Sequence, residues 1–367
     1  MDIVFDNLSM SRAKELRRIF ENITKSKVLN LKNFDISNVE SMHTMFNCCS
    51  GLNKVDVTKF DTRNVNDMYA CFAMCSELNS VDVSNFDTRN VTDMSCMFTS
   101  CEKIKDLDLH NFNTEKVTTM QRMFWECKSL ERLDLSSFNF SNVKDTNSMF
   151  LNCTVLEELK LPNMSNNKVE NMARMFGDCH KLRELDLSTF NTSLVQYMCG
   201  MFSNCYTIRE IDLSSFDTRN VEDMSSLFLL CTSLVKVDLH SFDTSNVADM
   251  SRMFSACKNL KSVDIKHFDT RYVLSTLKMF SECHKLKELD LSNFNTEKVK
   301  DMSEMFHRCK NLVKLDISNF KLNRETNTYH MFKGCDRLKV IRLPKDAESR
   351  NILLKQLQRD SIYCNIE

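Results

Sequence analysis

The apolar residues of this chain follow one pattern that returns along nearly its whole length. In the stretch FDTRNVTDMSCMFTSCEKIKDLDL, Phe86 to Leu109, Met94, Met97, Phe98 and Cys101 stand at i, i+3, i+4 and i+7. That spacing predicts the buried stripe of a short helix. Ile104, Leu107 and Leu109 follow with L-x-x-L-x-L spacing, which predicts a strand with Leu107 and Leu109 on one face and Asp108 on the other. Phe112 and Val117 close the repeat through a turn of the type DTRN, Asp87 to Asn90, whose polar side chains can bond nearby backbone groups. A helix of two turns is not stable alone, so its stripe must be buried on neighbouring segments.

Those neighbours are copies of the same pattern. From Phe46 a phenylalanine recurs every 26 residues to Phe332, and each is followed three residues later by a cysteine. A strict period of this length is the signature of a solenoid, in which one continuous core runs through stacked repeats. The expected fold is therefore an α/β solenoid of 26-residue repeats, with a parallel β-sheet on one face and short helices on the other. Residues 1–27 are expected to form an N-terminal helical cap, because Leu16, Ile19, Phe20 and Ile23 have helical spacing. About twelve repeats fill 28–343, and 344–367 are expected to form a C-terminal helical cap carrying Ile352, Leu353, Leu357 and Ile362. Uncapped terminal repeats would leave adhesive apolar faces.

A strand of L-x-x-L-x-L type, a loop and a short helix resembles the leucine-rich repeat. The form LDLSxFDTxxVxDMSxMFxxCxxL is similar to the 26-residue repeat of bacterial surface proteins, the BspA-like family. The resemblance implies a right-handed solenoid with binding rather than catalytic roles, frequently at bacterial or protozoan cell surfaces. One departure is that the buried loop asparagine of the general repeat is replaced by Phe60, Phe86, Phe112, Phe138 and their successors, which predicts a phenylalanine spine.

Seventeen cysteines would suggest a disulfide framework, but twelve of them, from Cys49 to Cys335, occupy a single position of the repeat. A column of this kind reads as a small buried residue filling the same volume in each repeat. The remaining Cys48, Cys71, Cys96, Cys199 and Cys364 suggest no pairing. A net charge of -1 offers no field to draw in nucleic acid or an anionic membrane. With four Gly and two Pro there is neither a phosphate-cradling loop nor a flexible linker. No apolar run reaches the length of a membrane span, and the charged start lacks a secretory core, so the expected location is cytoplasmic if Met1 is the native start. The family resemblance implies the cell surface instead.

The eight histidines are scattered over different repeat positions, and no nucleophile, metal or glycosidase spacing occurs. The expectation is a protein-binding scaffold with no cofactor and no catalysis. A surface adhesin or structural array is the alternative, and an enzyme is the distant third. Departures from the repeat indicate where a partner would sit. Trp125 and Leu151 each follow a column phenylalanine in adjacent repeats and are expected to be neighbours facing solvent. Nearby, Phe140 replaces a turn threonine, Thr146 a methionine, Lys160 the strand aspartate and Met164 the spine phenylalanine. Trp125, Leu151, Phe140 and Lys160 are thus the candidate partner-binding residues, against a plain reading of drift or a bend in a weakened repeat. Leu229 and Leu230 are a weaker candidate for self-association.

The alternative surface is the acidic strand face, Asp82, Asp108, Asp134, Asp186 and Asp212, which could meet a cationic partner or calcium. The competing reading is that local hydroxyls and basic neighbours such as Lys54, Arg132, Lys236 and Lys314 offset the repulsion.

Overall fold

A computed structural model describes residues 2–4, 13–31 and 33–367 of the chain. They form two compact units, Met1–Phe190 and Asn191–Glu367. Each is a β-solenoid of 26-residue coils with parallel strands and little helix. In the first unit β1 (Asp2–Val4), β2 (Val28–Asn30), β3 (Lys54–Asp56) and β4 (Ser80–Val81) form one parallel sheet in that order, and β5 (Arg132–Asp134) pairs with β6 (Glu158–Lys160). In the second unit β7 (Glu288–Asp290), β8 (Lys314–Asp316), β9 (Val340–Arg342) and β10 (Asn365–Ile366) form another. The register follows the repeat, with Leu29 opposite Val55 and Leu315 opposite Ile341. A second ladder of single bridges runs from Glu15 to Asn171 in the first unit and from Tyr197 to Asn327 in the second.

The expected short helices are corrected by the structure. Among the described residues the one α-helix is α1 (Ala347–Arg359), and the Met–Phe–Cys stripe of each coil is a run of tight turns. In the coil ending at Cys49, Met45, Asn47 and Cys49 donate to the carbonyls three residues back, at 3.1, 3.1 and 3.3 Å. The intervening Met42, Thr44, Phe46 and Cys48 donate instead to Asp67, Tyr69, Cys71 and Ala73 of the next coil, at 2.8–2.9 Å. Two left-handed residues per coil close these turns, for example Ser226 at φ 58° and Leu230 at φ 59°.

The turns prevail over a helix for a reason visible in the hydrogen bonds. A two-turn helix leaves its first four N–H and last four C=O groups unpaired, whereas alternate turns hand those groups to the neighbouring coil. The N-terminal segment is corrected likewise. Residues 13–27 contain turns and no helix, with Phe20 buried and stacked on Phe46 at 5.5 Å, while most of the earlier residues of that expected cap lie outside the described ones.

The core is built from columns. The phenylalanines of the stripe stack in parallel at 5.1–6.0 Å from Phe46 to Phe150 in the first unit and at 5.5–6.2 Å from Phe202 to Phe332 in the second. The predicted spine is present as a second buried column, with Phe112 and Phe138 6.3 Å apart and Phe216 and Phe242 6.4 Å apart.

Each column cysteine is a buried free thiol. Their sulfurs are also hydrogen-bond donors: Cys127 Sγ donates to Phe98 O at 3.2 Å, Cys153 to Phe124 O at 3.1 Å and Cys257 to Phe228 O at 3.1 Å. The acceptor already receives one bond from within its own coil, such as Cys101 N to Phe98 O at 3.1 Å, so the thiol occupies the second lone pair of a buried carbonyl. A column of buried threonines does similar work. Thr244 Oγ1 donates to Asp269 O at 3.0 Å and accepts from Asp269 N at 2.8 Å, bracketing the next coil.

At the C-terminus, side chains of α1 take over bonds that another coil would have made. Asp346 caps the helix by accepting from Ser349 N at 2.8 Å. Ser349 Oγ accepts from Leu322 N at 2.8 Å, and the buried Asp360 accepts from Phe332 N at 2.9 Å and from Gln356 Nε2 at 2.9 Å. Leu353 and Leu357 are buried beneath.

Candidate functional site

The two surfaces singled out by the sequence differ in how far their side chains are committed to the fold. On the strand face, Asp82, Asp108, Asp134 and Asp186 of the first unit are exposed, as is Asp212 of the second. Each carboxylate folds back onto its own loop. Asp82 Oδ1 accepts from Ser84 N at 3.0 Å and Ser84 Oγ at 2.6 Å, Asp186 is held in the same way by Ser188, and Asp108 accepts from His110. Asp134 and Asp212 accept from Ser136 N and Ser214 N.

These bonds favour the ionised form and hold the carboxyls of Asp82, Asp108, Asp134 and Asp186 low. The Ser84 hydroxyl lowers Asp82, and the Ser136 side chain and amide, with Lys160, bring Asp134 down to about 2. The column is thus a series of turn-closing Asx bonds. Lys160, exposed in the same column, answers Asp134 across coils at 3.0 Å. A shallow concavity of about 500 Å³ lies over this part of the face, lined by acidic Asp106, Asp108, Asp134 and Glu158 together with Arg132 and Lys160. Among the described residues no group of three or more His, Cys, Asp or Glu is placed to hold a metal ion.

Sequence reasoning missed one further Asx column, while the DTRN turn, expected to bond nearby backbone groups, forms another. Asp93 accepts from Ser95 N at 2.7 Å and Asp223 from Ser225 N at 2.8 Å, at the entry to the stripe. In the DTRN turn, Asp87 accepts from Arg89 N at 3.2 Å and Asn90 Nδ2 donates to Arg63 O at 2.9 Å. The D-x-S spacing was the available signal.

At the other candidate surface, the position after the column phenylalanine is less open than expected. Ala73, Thr99, Ser203, Ser255 and Ser281 there are buried, and Trp125 and Leu151 are half-buried. They do stand in adjacent coils, with Glu126 N donating to Leu151 O at 2.9 Å beside them. Thr99 and Gly177 flank them in the same column, so two large apolar groups project where neighbours are small. The exposed Arg122 lies over the indole, its guanidinium carbon 5.1 Å from the ring.

Phe140 does not belong to this surface. Its ring is buried, in the column that elsewhere holds the bracketing threonine, so the expectation that it contacts a partner is corrected. Leu229 and Leu230 of the second unit are half-buried between coils that carry Ser203 and Ser255. No helix among the described residues is long and apolar enough to cross a membrane.

Solved structures with similar backbones are distant in sequence. A leucine-rich repeat protein from Eubacterium ventriosum is 17% identical over 82% of this chain and 84% of its own, with a TM-score of 0.42. TLR13, in a complex with ssRNA13, is 17% identical over 87% of this chain and 47% of its own, at 0.30. The functional domain of InlJ from Listeria monocytogenes, described as including a cysteine ladder, is 16% identical over 87% of this chain and 60% of its own, at 0.25. No curated protein matches the sequence. The family described as "Mycoplasma protein of unknown function, DUF285" matches four overlapping stretches, residues 14–124, 82–182, 156–262 and 224–342, and the chain belongs to that family.

Proposed function

We propose that this chain is a non-enzymatic, protein-binding scaffold whose partner seats on Trp125 and Leu151. The observation that carries the reading is the pair of large apolar side chains in adjacent coils, flanked in their column by the small Thr99 and Gly177. Tryptophan and arginine are the residue types most enriched at binding hot spots, and Arg122 presents a cation on the same indole. A rigid solenoid holds such a patch at little entropic cost, because the backbone beneath it is bonded to the coils on both sides. The BspA-like form of the repeat supports a binding role of this kind. Leu229, in the same column, and Leu230 beside it in one coil offer apolar surface without an aromatic anchor, which suits a weaker self-association contact.

The test is affinity capture from the native host with wild type and a Trp125→Ala/Leu151→Ser variant whose thermal unfolding matches wild type. At least one partner held by the wild type is expected to be lost or weakened roughly tenfold or more. Retention of every partner at equal strength would remove this patch as the site.

A further inference from the structure

One edge of the second unit carries charge of a single sign. The positions one, two and four residues after the column cysteine lead into each strand. In the three consecutive coils that begin at Cys257, Cys283 and Cys309, these positions hold Lys258, Lys261, Lys285, Lys287 and Lys310, together with Asn259, His284, Asn311 and Val313, and no carboxylate. All five lysines are exposed. Among the described residues none of the five lies within ion-pair distance of a carboxylate, while other bases of the unit do find one, as Lys266 with Asp290 at 3.1 Å and Arg308 with Glu282 at 3.8 Å.

The backbone beneath them is fixed. Lys261 N donates to Val235 O at 3.2 Å, Val313 N to Lys287 O at 2.7 Å, and Asn311 Nδ2 to His284 O at 2.6 Å. Lysines in one column of adjacent coils therefore sit about 5 Å apart along the stack. Burial and then Lys310 lower the pKa of His284, set among them, which favours its neutral form. The bordering carboxylates are Glu282, which Arg308 answers at 3.8 Å, Glu288 and Asp336, and Arg337 and Lys339 continue the edge beyond them.

We propose that Lys258, Lys261, Lys285, Lys287 and Lys310 form a docking strip for an acidic, extended segment of a partner protein. Charge complementarity and width select that occupant. An extended peptide presents side chains of one face about every 7 Å and is narrow enough to lie on the lysines alone. Three residues along from Lys261 and Lys287, about 10 Å away, stand Asp264 and Asp290 of the strand face, which a duplex or a bilayer surface broad enough to overlap both would have to meet. No Phe, Tyr or Trp stands at these nine positions to stack a base, His284 being the one ring, and Val313 is the one aliphatic group there. Lysine, a flexible point charge, suits carboxylates that need no bidentate geometry. The strip is separate from the Trp125 patch, and the two stand or fall on different variants.

The experiment is fluorescence anisotropy of a labelled glutamate–serine alternating peptide titrated with the full chain at low salt. Wild type should bind, with affinity falling steeply toward physiological ionic strength. A Lys261→Glu/Lys285→Glu/Lys287→Glu variant should bind roughly tenfold or more weakly and should instead capture a labelled lysine–serine peptide, a gain that requires the strip to be folded. A Lys103→Glu/Lys128→Glu control in the first unit should bind as wild type does. Absence of binding at low salt, equal binding by the triple variant, or tighter binding of a single-stranded oligonucleotide or of phosphatidylserine vesicles would overturn the proposal.

Discussion

The coils around Phe140 in the first unit and those around Thr244 in the second are built to one plan with different parts. At Thr244 the hydroxyl brackets Asp269 of the next coil through two bonds. At Phe140 a buried ring fills that place, and Ser165 N turns to Asn163 Oδ1 at 2.9 Å within its own loop. Buried Asn167 then re-closes the turn, donating to Met164 O at 2.5 Å and accepting from Val169 N at 2.9 Å. Other parts do not change between the two regions. Phe124, Phe150 and Phe176 stack at 5.6 and 5.7 Å, as Phe228, Phe254 and Phe280 do at 5.7 and 5.5 Å. Cys153 and Cys179 donate to Phe124 O and Phe150 O just as Cys257 and Cys283 donate to Phe228 O and Phe254 O. The hydroxyl bracket can thus be exchanged for local bonding, while the sulfur and phenylalanine columns are kept through the irregular coils.

The largest effect should come from what both regions share. Burial pushes the thiols of Cys101, Cys153 and Cys231 up to about 12 and raises Cys127, Cys257, Cys283, Cys309 and Cys335 as well. An unfolded thiol ionises near 8.5, so between that pH and the folded value the unfolded chain gives up protons that the folded chain keeps. The stability is fully present below about pH 8.5 and is lost as pH rises, by about 1.4 kcal/mol per pH unit for each thiol. Eight such groups exceed the whole stability of an ordinary domain within one to two pH units, roughly 10 kcal/mol per unit. Reversible unfolding should set in between about pH 9 and pH 10 in reductant, followed by circular dichroism. A protein stable to pH 11 would show that the sulfurs are solvated.

Phe140→Thr should separate the two regions next. It restores the residue type found at Thr244 but empties a buried ring site, so it should destabilise by about 3 kcal/mol in denaturant unfolding. Thr244→Val removes a bracket without a substitute and should cost about 1–3 kcal/mol through the unpaired Asp269 backbone. If Phe140→Thr proved stabilising, the irregular coil would be damaged rather than rebuilt.

The smallest expected effect discriminates turns from helices by its sign. Ser226 stands at φ 58°. In a helix interior Ser226→Gly would cost up to about 1 kcal/mol, whereas at a left-handed position it should stabilise by about 0.5–1 kcal/mol.

What the sequence made legible was whatever depends on period. The stacking register, the burial of Cys101 or Cys257 and the second phenylalanine spine all follow from side chains that return every 26 residues. The helices were misread because Met94, Met97, Phe98 and Cys101 line one face equally well in a helix or in consecutive turns. The left-handed residues that decide the matter are as varied as Thr44, Arg122, Glu304 and Lys278, so no residue preference announces them. Phe140 was misplaced for a related reason: threonine in a polar turn reads as surface, although Thr88 and Thr244 are buried. The lysine strip needed neighbours in three dimensions. Lys103 and Lys128 occupy equivalent edge positions of the first unit, and the structure pairs them with Glu77 at 2.6 Å and Glu102 at 2.8 Å.

Thiol accessibility tests the account most directly. Maleimide labelling at pH 7.5 under reductant, located by peptide mass spectrometry, should reach the half-buried Cys48, Cys96, Cys199 and Cys364 first. The column from Cys49 to Cys335 should stay unlabelled until denaturant is added, because those thiols are buried and bonded to phenylalanine carbonyls. Labelling of column cysteines in the native protein at the rate seen for the unfolded chain would contradict the sulfur-lined core.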